Sequence, residues 1–379
     1  MNKRIEVIDA LRGFSLLGIL IANILYFQYG SLTMDTINLN SWWNKGAYYF
    51  TKIFVEGSFY PIFGFLFGYG LILFVQALEN REEGVKGPLW RRAIGLVVLG
   101  AVHTSLVWDG DILLTYGATL IVIILFFLKR RVKTWLIWAI CLALLAIPLL
   151  ILKSTTIFLD LLNEETAKAS EVLINGSYLD VVKYRIGFSA DEFELMLLLF
   201  AMPFAFILIL ILGFISVGTF ILLGMAAAKV ELLRNVELKN QLLKKCALLV
   251  PVGLLLKSFI LWEHKVAVLL SGVGAYVLAI GYIALFILLF VNAQDSKVMN
   301  SFASVGRLSL SNYLLQSIIC TTIFYGYGLG LFGKLGIAVG VILAVLIYGV
   351  QIFISSVYIK RFKLGPAEWV LRKFVYLGR

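Results

Sequence analysis

One histidine and two aspartates stand close together at the end of an apolar stretch that covers residues 90–116. His103 is followed by a turn-like Asp-Gly-Asp sequence that begins at Asp109 and ends at Asp111. Histidine titrates near neutral pH, so it can take a proton from a hydroxyl or amine or act as a nucleophile, and a neighbouring carboxylate can orient its ring. These three residues form the predicted catalytic group. In the structural alternative, His103 hydrogen-bonds a neighbouring helix and the aspartates only cap the turn.

The long apolar stretch around His103 favours a functional role. Ionisable groups at membrane depth are costly and usually face a protein interior or a water-filled cavity. The 379-residue chain is 61% hydrophobic and 15% charged, with a mean hydropathy of +0.95. Soluble domains contain about 45–50% apolar and about 25% charged residues. The composition therefore predicts an integral membrane protein.

The net charge of +11 does not require an acidic partner. In membrane proteins, basic residues gather in cytoplasmic loops and face anionic lipid. No nucleic-acid-binding motif occurs, so membrane lipids, and not nucleic acid, are predicted partners. The three cysteines lie in apolar runs without metal-ligand spacing or a disulfide framework, so they are predicted to be packing residues and no metal site is expected. These cysteines are Cys141, Cys246 and Cys320.

Ten apolar stretches of 16 residues or more are predicted to cross the hydrocarbon core, roughly 30 Å thick, as helices. The sequence therefore predicts an all-α, polytopic transmembrane helix bundle that forms a single integral membrane domain over residues 1–379. The predicted spans cover residues 12–29, 48–78, 92–108, 111–128, 134–152, 193–228, 247–262, 266–291, 308–326 and 335–358. Glycines and Pro61 in the second span predict a break, a tilt or a re-entrant portion, and Pro203 and Gly213 predict a division of the sixth.

The distribution of lysine and arginine predicts the orientation. Of the 33 basic residues, 24 fall in six segments on one side, which are 1–12, 79–92, 129–133, 229–246, 292–307 and 359–379. By the positive-inside rule both termini are then cytoplasmic and His103 lies toward the outside. On the outside, residues 153–192 are predicted to form a lid or to lie along the membrane surface. Inside, the basic tail at 359–379 is predicted to lie on the surface or to gate a cytoplasmic pocket.

Other polar residues are candidates for binding. Asp9 and Arg12 share one helical face at i, i+3 and are predicted to pair at the cytoplasmic edge, where Arg12 can also meet a phosphate. Glu56 is predicted to face a cavity shared with the catalytic histidine; the alternative is an exposed residue just above the hydrocarbon. Asn312 and Gln316 lie on one face of the ninth span. They indicate either a wet cavity, which is the favoured interpretation, or a helix contact.

Five segments of the chain together resemble a known family. They are IEVIDALRGFSLLGILIANI, FGFLFGYG, GAVHTSLVWDGDILLTYG, GRLSLSNYLLQS and GPAEWVLRKF. In this order they are similar to the bacterial YeiB-like membrane proteins, a family of unknown function. That family more distantly resembles the transmembrane acyltransferase superfamily, which includes the lysosomal heparan-α-glucosaminide N-acetyltransferase.

The resemblance implies that acetyl-CoA or another acyl-CoA enters from the cytoplasm and that an acceptor is modified on the opposite side of the bacterial plasma membrane. It implies that His103 is the catalytic base or acyl carrier, assisted by Asp109 or Asp111. The predicted cofactor-binding residues on the donor side are Arg12, Arg92 and Arg307. The predicted substrate-binding residues are Glu56, Asn312 and Gln316.

The leading hypothesis is an integral membrane acyltransferase that moves an acetyl or other acyl group from cytoplasmic acyl-CoA to an extracytoplasmic hydroxyl or amine. Its acceptor would be a cell-envelope glycan, a lipid or a small molecule. A second hypothesis is a proton-coupled transporter or lipid flippase that uses the same polar cavity, with Glu56, His103 and Asp111 as protonatable groups. A third is a sensor or assembly partner with a vestigial site. A monomer and a homodimer both fit the sequence.

Overall fold

The computed structural model describes residues 3–30, 39–82, 84–153, 169–187, 192–233, 239–262, 265–293 and 296–377. Within these ranges the chain is helical and contains no strand, which confirms the predicted all-α class. Residues 154–168 and 188–191 of the predicted outer segment lie outside the described residues, and so does His264.

The described residues form a series of helices. In chain order they are α1 (Lys3–Tyr29), α2 (Trp42–Phe50), α3 (Phe59–Glu79), α4 (Lys86–Leu106), α5 (Leu113–Val122), α6 (Val132–Lys153), α7 (Tyr178–Arg185), α8 (Glu192–Lys229), α9 (Asn240–Ala247), α10 (Leu249–Ser258), α11 (Lys265–Asn292), α12 (Lys297–Arg307), α13 (Ser309–Phe324), α14 (Ile337–Tyr358) and α15 (Pro366–Val375). Residues 169–175 are also helical. π-Helical turns follow α2 at Thr51–Val55 and α5 at Ile123–Phe127.

Six helices of the described chain are long and apolar enough to cross a membrane. They are Glu6–Tyr29, Trp42–Glu79, Val132–Leu149, Phe206–Lys229, Val266–Asn292 and Ile337–Tyr358. The other four predicted spans correspond to α4, α5, α10 and α13, which are short or begin with charged residues. The 16 residues of α13 extend about 24 Å, less than the roughly 30 Å of a hydrocarbon core. The structure therefore supports six of the ten predicted spans.

The predicted break in the second span is present, whereas the predicted division of the sixth is wrong. After α2 and its π-helical turn, Gly57 adopts a φ of +77°, which lets the chain change direction before α3. By contrast, α8 runs without interruption from Glu192 to Lys229. Gly213 instead gives room for contact with α5, because a Cβ there would lie 3.1 Å from a methyl carbon of Thr115.

Helices α3 and α8 lie backbone to backbone. A Cβ on Gly68 would collide with the carbonyl of Ile221, and a Cβ on Gly224 would collide with the carbonyl of Phe65. Small residues allow such close packing inside a membrane, where association depends on van der Waals contact. The glycine-rich stretch at 63–70 therefore serves close helix packing. This contact holds α3 where its side chains can line the site described next.

The site extends between two ends of the bundle. Arg12 near the start of α1, Arg92 near the start of α4 and Arg307 just before α13 lie at one end, which we call the basic end. The C-terminal helix α15 packs there against α4 and α13. His103 lies near the other end of α4, which we call the histidine end.

Candidate active site

His103 and Asp111 form a buried pair across the turn between α4 and α5. Nδ1 of His103 lies 2.8 Å from Oδ1 of Asp111, and the two side chains are 2% and 1% exposed. The other carboxylate oxygen accepts a hydrogen bond from the backbone N–H of Leu114 at 2.8 Å. Asp111 therefore holds both the histidine ring and the first turn of α5. The short turn brings the two side chains together, as the sequence predicted.

The contacts of Asp111 indicate where the proton of the histidine lies. Besides the ring, its oxygens face the N–H of Leu114 and, at 3.5 Å, the O–H of Tyr313. Both groups can donate to a carboxylate oxygen, so these contacts favour a ring that donates from Nδ1 to Asp111; a neutral ring in that tautomer has its lone pair on Nε2. Nε2 is buried and has no hydrogen-bond partner within the described part of the chain. Such a nitrogen is available to act as a general base or nucleophile.

Tyr313 reaches the pair from a distant part of the chain. Its hydroxyl accepts a hydrogen bond from the backbone N–H of Ile112 at 3.2 Å, and its ring centroid lies 5.5 Å from that of His103. The sequence predicted no site role for Tyr313. Its contact with Asp111 joins residues 202 positions apart, so no local pattern could have identified it.

Gly100 lets α4 and α5 approach each other at this pair. A Cβ on Gly100 would lie 2.2 Å from the backbone N of Leu114 and 2.9 Å from Oδ2 of Asp111. We expect Gly100→Ala to force the helices apart and to lower the free energy of unfolding by about 1–3 kcal/mol. Thermal unfolding in detergent measures this effect. The matched control is Gly349→Ala on α14, where nothing lies within 4 Å of the added Cβ; equal melting temperatures for the two variants would contradict the prediction.

The three predicted donor-side arginines line one pocket of about 220 Å³ at the basic end, which we call the arginine pocket. Its remaining wall is largely apolar and aromatic and comes from α3, α4, α5, α13 and α15. At its inner end the pocket reaches Ile112 and Tyr313, the residues that contact each other beside the His–Asp pair. The arginine pocket therefore extends from the basic residues to the immediate neighbourhood of the catalytic candidates.

Two of these arginines share one carboxylate. Nη1 of Arg12 lies 3.3 Å from Oδ1 of Asp9, and Nε of Arg307 lies 3.6 Å from Oδ2 of the same residue. The predicted pairing of Asp9 with Arg12 is confirmed. Asp9 is 8% exposed, so this ion pair joins α1 to the end of α12 in a partly desolvated position.

Arg92 has a different environment. Its guanidinium lies over the rings of Phe67 and Phe74, 5.4 Å and 5.3 Å from their centroids. Its Nε is buried without a hydrogen-bond partner among the residues that the structure describes. No ion pair joins Arg92 to a carboxylate in that part of the chain. Arg92 is therefore the pocket residue best placed to bind an incoming anion.

Glu368 on α15 lines the same pocket and caps α13 from outside that helix. Its Oε1 accepts hydrogen bonds from the backbone N–H groups of Leu310 and Ser311, at 2.8 Å and 3.2 Å, and its Oε2 accepts one from the Ser311 hydroxyl at 2.5 Å. A carboxylate at a helix N-terminus satisfies free N–H groups and complements the helix dipole. The sequence predicted that the basic tail either lies on the surface or gates a cytoplasmic pocket. In the structure, the tail forms part of the pocket wall.

A second pocket, of about 320 Å³, lies on the other side of Ile112 and Tyr313. Glu56 and Asp111 both line it, so we call it the acidic pocket. Glu56 was predicted to share a cavity with His103; in the structure it shares this pocket with Asp111, and His103 does not line the pocket. Oε2 of Glu56 also lies 2.7 Å from Nζ of Lys52, which makes this carboxylate one half of an ion pair.

The two aspartates of the turn have different positions. Asp111 binds His103, whereas Asp109 is exposed and lines a separate pocket of about 250 Å³ with Trp108 and Tyr325. The geometry therefore favours Asp111 as the partner of the histidine. No group of three or more His, Cys, Asp or Glu side chains that could hold a metal ion occurs among the described residues.

Asn312 and Gln316 lie in the contact between α13 and α14. Nδ2 of Asn312 donates to the Ser355 hydroxyl at 3.0 Å, and Nε2 of Gln316 donates to Oε1 of Gln351 at 2.8 Å. Neither residue lines the arginine pocket or the acidic pocket. Both residues therefore lie in a helix contact, which was the less favoured interpretation of the sequence, and not in a wet cavity. Their i, i+4 spacing predicted a shared face but not which neighbour covers that face.

Gln351 is the centre of this contact, because its Nε2 also donates to the backbone carbonyl of Asn312 at 2.9 Å. We expect Gln351→Leu to lower the free energy of unfolding by about 1–2 kcal/mol, since it leaves buried polar groups of α13 unpaired. Thermal unfolding of Gln316→Leu, Gln351→Leu and the double variant would give the coupling free energy between the two side chains. Strictly additive effects would argue against the contact.

Comparisons with known proteins identify the family of this chain. Residues 227–378 match the family described as "Protein of unknown function (DUF418)". Three bacterial relatives match over nearly the whole chain. The uncharacterized protein YxaH of Bacillus subtilis (strain 168) is 31% identical over 100% of this chain and 95% of its own length. An uncharacterized 39.9 kDa protein from the amylase 3' region of Bacillus acidopullulyticus is 29% identical over 99% of this chain and 95% of its own length. The uncharacterized protein YeiB of Escherichia coli (strain K12) is 28% identical over 98% of this chain and 96% of its own length. No solved structure matches the chain. The resemblance seen in the sequence is thus confirmed: the chain belongs to the YeiB-like family of bacterial membrane proteins of unknown function.

Proposed function

We propose that this protein is a membrane acyltransferase that moves an acyl group from acyl-CoA to a hydroxyl or amine acceptor. The observation that supports this proposal most directly is the buried His103–Asp111 pair beside the residues at which two pockets meet. In the proposed orientation the basic end faces the cytoplasm and the histidine end faces outward across the bacterial plasma membrane. The acceptor is then an extracytoplasmic glycan, lipid or small molecule.

The arginine pocket suits the donor on grounds of charge and polarity. Coenzyme A carries phosphates, and arginine guanidinium groups bind phosphate through charge-assisted hydrogen bonds. Arg92 offers a guanidinium without a carboxylate partner within the described chain, at the basic end of a pocket whose remaining wall is largely apolar and aromatic. An anionic group bound there would leave the thioester end of the donor to extend along the apolar wall toward Tyr313. The pocket volume fits only part of acyl-CoA, so its nucleotide would lie beyond the mouth.

The chemistry needs one proton acceptor and a reacting thioester. Nε2 of His103 takes the proton from the acceptor hydroxyl or amine as the acceptor atom attacks the thioester carbonyl carbon. The bond between that carbon and sulfur breaks, an ester or amide forms, and the CoA thiolate takes the proton from the imidazolium. Asp111 stabilises the charged ring through Nδ1. A route through an acyl-histidine, in which Nε2 itself attacks the thioester, uses the same atom.

The wall between the pockets must open during this reaction. His103 lines neither pocket, and Ile112 and Tyr313 line both. Since a single hydrogen bond of 3.2 Å joins the Ile112 backbone to the Tyr313 hydroxyl, a change of the Tyr313 rotamer would remove part of that wall. In the proposed reaction, this change would bring Nε2 within reach of both substrates without unfolding either helix.

Equilibrium binding of radiolabelled acetyl-CoA and longer acyl-CoAs to the detergent-purified protein tests the donor half of the proposal. Vesicles that contain the protein and enclose cell-envelope extract then test the transfer, because labelled acyl groups should appear in an enclosed acceptor when acyl-CoA is supplied at the basic end. Saturable binding without any transfer would support the donor site but contradict the proposed reaction. Absence of binding to every acyl-CoA would overturn the proposal.

The same two pockets also favour a second candidate, a proton-coupled transporter or lipid flippase. Two pockets on opposite sides of a thin wall are the arrangement that alternating access requires, and Glu56 and Asp111 line one of them. Movement of solute or lipid across proteoliposomes in the absence of acyl-CoA would support this alternative. Strict dependence on acyl-CoA, with a covalently labelled product, would exclude it.

A further inference from the structure

A groove at the basic end is separate from the site described above. It has a volume of about 1060 Å³ and lies between the last turns of α3, the start of α4 and the connection from α5 to α6. It shares no lining residue with the arginine pocket or the acidic pocket. We call it the basic groove. Nothing in the proposed acyl transfer uses it.

The rim of the basic groove has an excess of positive charge. Five basic residues line it, and Glu79 is the one acidic lining residue that the structure describes. The basic residues are Lys86, Lys129, Arg130, Arg131 and Lys229. All five are exposed. Since like charges repel, their collection around one cavity favours an anionic occupant.

Most of these cations are free to bind a ligand. Nε of Arg130 donates to the backbone carbonyl of Phe126 at 3.2 Å. Lys86, Lys129 and Arg131 make no ion pair or side-chain hydrogen bond with any residue in the described ranges. The groove therefore presents three cations whose charge the described chain does not balance.

The wall of the groove is apolar and faces outward. Leu125 and Phe126 are 58% and 61% exposed, although they belong to the apolar helix Leu113–Phe127. The chain is π-helical here, which adds a residue to the turn and changes the direction of the side chains. Partly exposed Trp90 and buried Trp135 complete the wall, and a partly exposed tryptophan such as Trp90 favours the level of the lipid headgroups. An apolar surface next to a cationic rim at the end of a membrane helix matches a lipid better than a soluble anion.

We propose that the basic groove is a binding site for an anionic phospholipid of the leaflet at the basic end. The lipid phosphate lies among Lys86, Lys129 and Arg131, and its acyl chains lie along Leu125 and Phe126. Basic pockets between membrane helices bind anionic headgroups through this combination of charge and apolar contact. A zwitterionic lipid of the same chain length carries its own cation, so it gains little from the rim.

Native mass spectrometry of the full-length protein, titrated with palmitoyl-oleoyl phosphatidylglycerol or phosphatidylcholine, tests this site. We expect one phosphatidylglycerol to bind with clear preference over phosphatidylcholine. The variant Lys86→Gln/Lys129→Gln/Arg131→Gln is expected to lose about 100-fold in phosphatidylglycerol affinity. The matched control Lys360→Gln/Arg361→Gln/Lys363→Gln removes three exposed basic residues of the tail and is expected to keep the preference.

Two further results decide the nature of the occupant. Phe126→Gln removes apolar wall without changing charge, and we expect it to weaken phosphatidylglycerol binding; it also serves if the triple variant fails to fold, as judged by its melting temperature. Inorganic phosphate in large excess should not displace the lipid. Any one of three results would overturn the proposal. The groove variant could bind phosphatidylglycerol as tightly as the wild type, the groove and tail variants could lose the same affinity, or inorganic phosphate could displace the lipid. None of these results depends on acyl transfer.

Discussion

Replacement of His103 by glutamine is expected to lower the rate of acyl transfer by about 1,000-fold, because a positioned general base contributes roughly 100- to 10,000-fold. Glutamine cannot take the proton that Nε2 accepts in the proposed reaction. His103 does not line the arginine pocket, so the affinity for acyl-CoA should stay near that of the wild type. Transfer is measured as labelled product in vesicles, and donor affinity by equilibrium binding with the same preparation.

Substitutions of the two aspartates test the geometry of the pair. Asp111→Asn keeps an oxygen for the backbone N–H of Leu114 but presents an amide N–H to the ring, which places the ring proton on Nε2 and removes the base. We expect a loss of transfer similar to that of His103→Gln. Asp109→Asn, at an exposed position of the same turn, should have a much smaller effect. Full activity of His103→Gln, or a larger loss at Asp109 than at Asp111, would contradict the assignment.

Replacement of Arg92 by glutamine is expected to weaken acyl-CoA binding by about 10- to 100-fold. A hydrogen bond to a charged group contributes roughly 1.5–3 kcal/mol, and in the described chain Arg92 has no carboxylate that already uses its charge. Arg92→Lys keeps the charge but loses the planar stacking on Phe67 and Phe74, so an intermediate affinity is expected. Equilibrium binding of radiolabelled acetyl-CoA measures all three proteins.

Arg12→Ala and Lys360→Gln serve as comparisons for Arg92. Arg12 is paired with buried Asp9, so its loss should lower the melting temperature as well as the donor affinity, because a carboxylate is left poorly compensated. Lys360 is an exposed basic residue of the tail, and its replacement should change neither quantity. Donor binding that is unaffected by Arg92→Gln but abolished by Arg12→Ala would move the anion site to the α1–α12 ion pair.

Residues that lie near one another in the chain were predictable from the sequence. His103 and Asp111 flank a short turn between two helices, and Asp9 and Arg12 share a helical face; both pairs are in contact in the structure. Composition indicated a membrane protein, and the length of the apolar stretches indicated that it is all-α. These properties follow from helix geometry and from the cost of burying polar groups in lipid, which do not depend on how distant helices pack.

Packing between distant segments decided the rest of the site. The sequence could not tell whether Asn312 and Gln316 face a cavity or another helix, and only the position of α14 shows that Gln351 covers them. Tyr313 became a site residue because α13 brings its hydroxyl to Asp111 across 202 positions. Likewise, only the fold shows that Asp9 forms ion pairs with Arg12 and Arg307 but not with Arg92. Residue type and spacing determine which side chains can interact. The tertiary structure determines which of them meet, because several different helices could pack against the same helical face and pair with its polar groups.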